Sequence, residues 1–172
     1  MECDELYVGG KPRPGTGPHK RGRGTSKTPV LAMVERNGNI RRRVVPNVTG
    51  KTLKAAILEC VDRKAQIITD ELSSYEGIGS KFRGGHARIC HSAGEYACGN
   101  VHTNTAESSF SLLKRGLVGI YHAVSKEHLH RYVNEFDFRW NTRRLTDGAR
   151  VAQAIKESIG KRLTYEDAVW RE

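Results

Sequence analysis

Three carboxylates and one lysine are the residues of this chain whose types and spacing suit a chemistry: Asp4, Asp70, Glu107 and Lys114. Acids drawn together from separate segments repel one another unless a divalent cation sits between them. Ligation by carboxylate oxygen alone selects Mg²⁺ or Mn²⁺ over Zn²⁺. Two such ions, about 3.5–4 Å apart, stabilise both the attacking and the leaving oxygen of an in-line displacement at phosphorus. Glu107 and Lys114 lie in "HTNTAESSFSLLKRGL", residues 102–117, where Ala106, Phe110, Leu113 and Leu117 form a helical core stripe. Glu107, Ser111 and Lys114 repeat the same steps one residue later, so acid and base share a flank, roughly 10 Å apart along the axis. On that flank the ammonium can grip a phosphate of the strand being processed.

This chemistry needs a sheet that brings Asp4 and Asp70 to one edge. "CDELYV" alternates as a first strand, with Asp4, Leu6 and Val8 on one face and Cys3, Glu5 and Tyr7 on the other. Only one acid of the Asp4–Glu5 pair can therefore face the site. "PVLAMVERNGNIRRRVVPNV" reads as an antiparallel hairpin around Asn37-Gly38, a dipeptide that suits a type I′ turn. In "TGKTLKAAILECVD", Leu53, Ala56, Ile57, Cys60 and Val61 mark an amphipathic helix starting near Thr49 or Thr52. "AQIITDE" is a short buried strand reached by that helical crossover, which makes it a parallel neighbour of the first strand. Asp70 stands at its carboxyl end. Residues 81–91 suit a shorter fifth strand, and Glu107 joins from the helix that follows. "SKEHLHRYVNEFDFRWNTR" keeps helical spacing through Leu129, Tyr132, Val133, Phe136 and Trp140, and a last helix is expected near residues 150–159. The expectation is one α/β domain over residues 1–172, a βββαβ mixed sheet flanked by helices, with additional helices at the carboxyl end.

The 29 Lys and Arg against 19 Asp and Glu give a net charge of +10, which points to a polyanionic partner, nucleic acid first. No apolar run approaches the ~20 residues of a spanning helix, so a membrane partner is not expected. The segment 9–29, "GGKPRPGTGPHKRGRGTSKTP", carries six Lys and Arg and no acid, and reads as a basic Gly/Pro-rich loop suited to phosphate backbone. "MECDELYV" has acids where a secretory signal would be apolar, which suggests the cytoplasm. Cys3, Cys60, Cys90 and Cys98 contain no C-x-x-C, and Cys90, His91, Cys98 and His102 match no standard zinc spacing. Reduced thiols are expected.

"CDELYVGG", "IITDE" and residues 91–143 together closely resemble the catalytic domain of bacterial insertion-sequence transposases of the ISXO-like branch, a DDE family with an RNase H-like fold. The resemblance covers nearly the whole chain. It implies that Asp4, Asp70 and Glu107 are the catalytic, metal-binding triad for two Mg²⁺, with Mn²⁺ as a substitute, and that Lys114 is the basic residue seven positions on. The 36 residues between Asp70 and Glu107 are close to the family's spacing. It further implies metal-dependent cleavage at transposon ends to expose a 3′-OH, then attack of that hydroxyl on target DNA. The partners would be DNA and a second copy in a paired-end complex, in a bacterial cytoplasm and with no small-molecule substrate. Lys20, Arg21, Arg23, Arg115, Arg139 and Arg143 are candidate DNA contacts, and Asn104 and His102 candidate auxiliaries, since some relatives use Asn as the third ligand. Relatives usually carry an amino-terminal zinc ribbon, whereas three residues precede Asp4 here. The first strand is thus expected to fray, and a truncated transposase, an inactive remnant that only binds DNA, and an RNase H-like nuclease or resolvase all stay open.

The same residues have plainer structural readings. Glu107 can complete a capping box with Asn104 as N-cap. Asp70 can cap a helix starting at Glu71. Asp4 can be an ordinary edge-strand acid and Lys114 a solvated helix charge. Trp140 is expected in the core.

Overall fold

The computed structural model describes residues 1–10, 25–94, 97, 99–162 and 164. Among these residues five strands form one mixed sheet: β1 (Glu2–Val8), β2 (Thr28–Val34), β3 (Ile40–Val44), β4 (Ile67–Thr69) and β5 (His86–Arg88). Among the described residues four α-helices accompany it: α1 (Gly50–Cys60), α2 (Asn104–Gly119), α3 (Leu129–Asn141) and α4 (Asp147–Ser158). The order across the sheet is β3-β2-β1-β4-β5. β1–β2 and β2–β3 are antiparallel, and β1–β4 and β4–β5 are parallel. The chain divides into two compact units, Met1–Asn141 and Thr142–Glu172, with α4 in the second.

Burial follows from alternation. Cys3, Leu31 and Met33 face one side, where Leu53, Ala56 and Ile57 of α1 pack with Tyr75, Ile78 and Phe82. Leu6, Val30, Ala32, Val34 and Ile40 face the other, against Ala106, Phe110, Leu113 and Leu117 of α2 and Leu129 and Val133 of α3. β2 is covered on both faces and every residue of it is buried, hence its unbroken apolar run. α1 begins where its cap requires: Thr49 is extended and its hydroxyl accepts from the Thr52 N–H. At Gly116 α2 lies close against α3, since a Cβ there would lie 2.0 Å from Phe136 Cζ.

α3 also closes the exposed edge of the sheet. The backbone N–H and C=O of Ile40 are taken by the Asn141 side-chain amide, at 2.7 and 3.0 Å. The Arg42 N–H is taken by Asp137 Oδ2 at 2.6 Å, while the Arg42 guanidinium, buried on the same face, reaches Asp137 Oδ1 at 2.6 Å and the Ser109 carbonyl at 3.0 Å. One helix thus blocks part of an edge that would otherwise template strand pairing. Trp140 is half-buried against the α2/α3 core, and its Nε1–H donates to the Gly38 carbonyl at 3.3 Å.

Several local expectations are corrected. The hairpin turn is not type I′ at Asn37-Gly38. Its closing hydrogen bond runs from Gly38 N–H to Glu35 O at 3.0 Å, so Arg36 and Asn37 are its corners and, of Asn37 and Gly38, only Asn37 has positive φ, at 57°. Asn tolerates that region, which lets the turn slide by one residue. The basic loop ends earlier than residue 29, because Thr28 and Pro29 already belong to β2. The fifth strand is confined to three residues between a 3₁₀ turn at Ile78–Lys81 and another at His91–Ala93. β1 is not frayed. It pairs along its length with β2, and Met1 is tied to the β4 segment through its amino group to Gln66 O and its carbonyl to Ile68 N–H.

Candidate active site

The parallel register Glu2↔Ile68 carries Asp4 on β1 level with Asp70, the residue just past β4. Asp4 projects from the face packed on α2, and its neighbour Glu5 from the other, where Glu5 accepts the Tyr75 hydroxyl at 2.8 Å. The alternation thus leaves one acid of the pair at the site. Burial pushes the Asp4 carboxyl up to about 7, helped by the charges of Glu5, Asp70 and Glu107, while the hydrogen bond from Glu5 N–H, 2.8 Å, pulls the other way. Asp70 and Glu107 therefore both act electrostatically on Asp4.

Asp70 is half-buried and accepts the Leu72 N–H at 3.0 Å. It caps no helix at Glu71. A 3₁₀ turn starts only at Ser73, and the carboxylate instead closes an Asx-type turn two residues on. The turn is steadied from behind, as Thr69 Oγ1 donates to Asp70 O at 2.8 Å and lies 2.9 Å from His86 Nε2.

Glu107 is exposed in the first turn of α2. Asn104 is the first helical residue and exposed, not the cap; Thr103 is the N-cap, and it makes no side-chain capping bond to the helix backbone. The capping box fails for that reason. The Thr103 hydroxyl instead donates to Glu107 Oε1 at 3.2 Å, and His91 Nε2 lies 3.6 Å from the same oxygen. Glu71 holds the loop that carries His91 by accepting its N–H at 2.7 Å and that of Ser92 at 3.3 Å. These backbone bonds, the one from His91 foremost, keep the Glu71 carboxyl below its ordinary value. Asp70 and Glu107 are thus linked through Glu71 and the His91 loop, a connection the sequence did not signal.

Lys114 and Arg115 are exposed on α2. Arg139 is paired with Glu135 and lies over the Phe136 ring at 5.8 Å. Arg143 is exposed in the second unit. Lys20, Arg21 and Arg23 lie outside the described residues, as does Cys98. Cys3 is a buried thiol, and Cys60 and Cys90 are half-buried ones. His102 has its Nδ1 3.3 Å from Glu2 Oε1.

Glu2 is the residue that the sequence reading passed over. It is fully buried and accepts from Thr105 N–H, Thr105 Oγ1, Ala106 N–H and Arg36 Nε. Period-2 alternation placed it on Asp4's face, which was the available signal. Its partners in the helix start, Thr105 and Ala106, are more than a hundred residues away, which was not.

The oxygen-only donor set and the raised Asp4 carboxyl fit a divalent cation, because a cation would relieve the repulsion that burial magnifies. Among the described residues, no group of three or more His, Cys, Asp and Glu side chains is gathered closely enough to hold a metal in these rotamers. Asp4, Asp70 and Glu107 each take a local donor instead: Glu5 N–H, Leu72 N–H and the Thr103 hydroxyl. Among the described residues no helix is long and apolar enough to cross a membrane.

A family model described as an ISXO2-like transposase domain matches residues 1–141. The chain is 30% identical over 152 residues to an uncharacterized protein in transposable element ISH50 of Halobacterium salinarum, covering 81% of this chain and 51% of that protein. It is also 30% identical over 118 residues to an uncharacterized transposase-like protein of Haemophilus influenzae, covering 67% of this chain and 93% of that protein. The chain spans about half the length of the Halobacterium relative.

Proposed function

The chain belongs to the ISXO2-like transposase family, and from that premise we propose that it is the catalytic part of a DDE transposase, cutting DNA at transposon ends and joining the exposed 3′-OH to target DNA. The observation that carries the proposal is the parallel register that sets Asp4 level with Asp70, beside which burial, then the charges of Glu5, Asp70 and Glu107, push the Asp4 carboxyl up to about 7. The strand order β3-β2-β1-β4-β5, antiparallel then parallel, with helices on both faces, supports reading the sheet as RNase H-like.

In this reading Asp4, Asp70 and Glu107 would hold two Mg²⁺ ions, and the chemistry these would supply is charge stabilisation of a displacement at phosphorus. Asp4 must release its proton to serve as an anionic ligand, so its raised affinity for protons makes the site sensitive to acid. Asp70 is presented by its Asx-type turn, and Glu107 by the first turn of α2 with the Thr103 hydroxyl on one oxygen. Lys114 binds a phosphate of the strand whose end is being processed, from the flank it shares with Glu107. The basic segment 9–29 and Arg115 add backbone contacts. DNA and a second copy of the chain are the partners in this proposal.

Nicking of supercoiled plasmid at low salt with Mn²⁺, for the wild type and for Asp70→Asn at matched folding, tests it. Nicking that disappears in the variant is expected. Two proteins that behave alike while still binding DNA would leave a DNA-holding remnant, and nicking without any joining of a 3′-OH to target DNA would leave a nuclease.

A further inference from the structure

β1 presents two acids to α2, not one. Glu2 precedes Asp4 by two residues and shares its face, yet it is fully buried. Its carboxylate gathers Thr105 N–H at 2.9 Å, Thr105 Oγ1 at 3.0 Å, Ala106 N–H at 3.0 Å and Arg36 Nε at 2.7 Å. Arg36 donates as well to the His102 carbonyl at 3.1 Å, closing a ring around the start of the helix. Thr105 and Ala106 are the second and third residues of α2, and Glu107 is the next. The N-cap Thr103 leaves the helix without a side-chain cap. Glu2 supplies that cap from across the fold, on N–H groups that have no partner within the helix and at its positive end.

We infer that Glu2, with Arg36, is a positioning residue: it fixes the first turn of α2 against β1 and so sets the span between Asp4 and Glu107. The inference rests on the reading of Asp4 and Glu107 as members of one divalent-ion site. Those two acids belong to different elements, and Glu107 itself is exposed, its carboxylate meeting the Thr103 hydroxyl at its own helix start and His91 of the neighbouring loop. The tie two residues upstream on each side, Glu2 before Asp4 and Thr105 before Glu107, is where their relative placement is determined. A buried carboxylate is expensive to desolvate, and an apolar residue would fill the space at less cost. What the carboxylate adds is direction, because its two oxygens receive donors from a helix start and a hairpin turn at defined angles.

The test uses Glu2→Asp, which keeps the charge and shortens the reach by about 1.5 Å, and Thr105→Val, which removes one donor at nearly constant shape. Three quantities are read on folded protein: amide exchange at Thr105 and Ala106, the Mn²⁺ concentration that half-saturates plasmid nicking, and the maximal nicking rate. For Glu2→Asp the expected result is at least tenfold faster exchange at both amides and a severalfold higher Mn²⁺ requirement. The maximal rate should fall roughly a hundredfold, as for an ångström-scale misplacement, while DNA affinity stays within twofold. Thr105→Val should move the same quantities in the same direction by less. Normal exchange, or faster exchange with wild-type Mn²⁺ dependence and rate, would overturn the positioning role and leave Glu2 a structural cap. A wild-type chain that neither nicks nor takes up Mn²⁺ would instead overturn the phosphoryl-transfer reading, and with it the catalytic meaning of the tie.

Discussion

Replacing Asp4 by Asn should make the protein more stable at pH 8 in divalent-free buffer. Asn has nearly the same shape and keeps an oxygen for the Glu5 N–H, 2.8 Å away in the wild type, but it carries no charge. Raising a carboxyl from 3.8 to about 7 corresponds to about 4 kcal/mol at 1.36 kcal/mol per pH unit. The part of Asp4 still in contact with water reduces this to about 2–3 kcal/mol. The sign follows from proton binding: between 3.8 and about 7 the folded chain holds the Asp4 proton and the unfolded chain has lost it. The wild type therefore loses stability as pH rises through that window, and Asp4→Asn does not. Thermal and urea unfolding from pH 4 to pH 8 in EDTA would show the two proteins nearly equal at the acid end. At pH 8 the variant should be ahead by roughly 5–10 °C, taking 2–4 °C per kcal/mol for a chain of this size. Added Mg²⁺ should raise the wild type and leave the variant unmoved. A variant no more stable at pH 8, or a difference that does not change with pH, would refute the argument that burial and neighbouring carboxylates strain this site.

Lys114→Ala should weaken DNA binding and lower the magnitude of the salt slope by about one, as expected for a single phosphate contact; an unchanged slope in a binding titration would remove Lys114 from the interface. Asp137→Ala should cost about 3–5 kcal/mol in urea unfolding, because it leaves the Arg42 guanidinium buried without its partner; a loss below 1 kcal/mol would show that water or another group replaces it. Gly116→Ala should destabilise by about 1–3 kcal/mol through overpacking against Phe136, again read by urea unfolding, and a neutral result would mean that the α2–α3 contact yields. Nicking should fall on acidification below about pH 7 as Asp4 takes up its proton, and higher Mn²⁺ should move that fall to lower pH; a pH–rate profile at two Mn²⁺ concentrations checks both.

The repeating features of this chain were legible from sequence, and the singular ones were not. Alternation in β1, the helical stripes of α1, α2 and α3, and the crossover that makes β1 and β4 parallel neighbours all depend on periodic burial, which spacing reveals. With the parallel pairing in hand, Asp4 and Asp70 had to arrive level. The misplaced details are polar and local. Asn37-Gly38 matched a turn type whose place was taken by Arg36-Asn37, and Asn104 matched a cap whose place was taken by Thr103. The unread details are polar and distant. Glu2 on Thr105 and Ala106, and Asp137 on Arg42, join residues about a hundred positions apart, and a single charged residue on an apolar face carries no mark of its partner. Arg42 did carry a partial sign, an arginine between Ile40 and Val44 on the inward face of β3.

Whether Asp4, Asp70 and Glu107 form one divalent-ion site is decided by Mn²⁺ uptake in calorimetry, compared among the wild type, Asp4→Asn, Asp70→Asn and Glu107→Gln. Specific uptake by the wild type is expected, abolished or weakened at least tenfold by each single substitution, with Lys114→Ala as an unaffected control. Equal uptake by all four proteins, or none by the wild type in the presence of DNA, would contradict such a site.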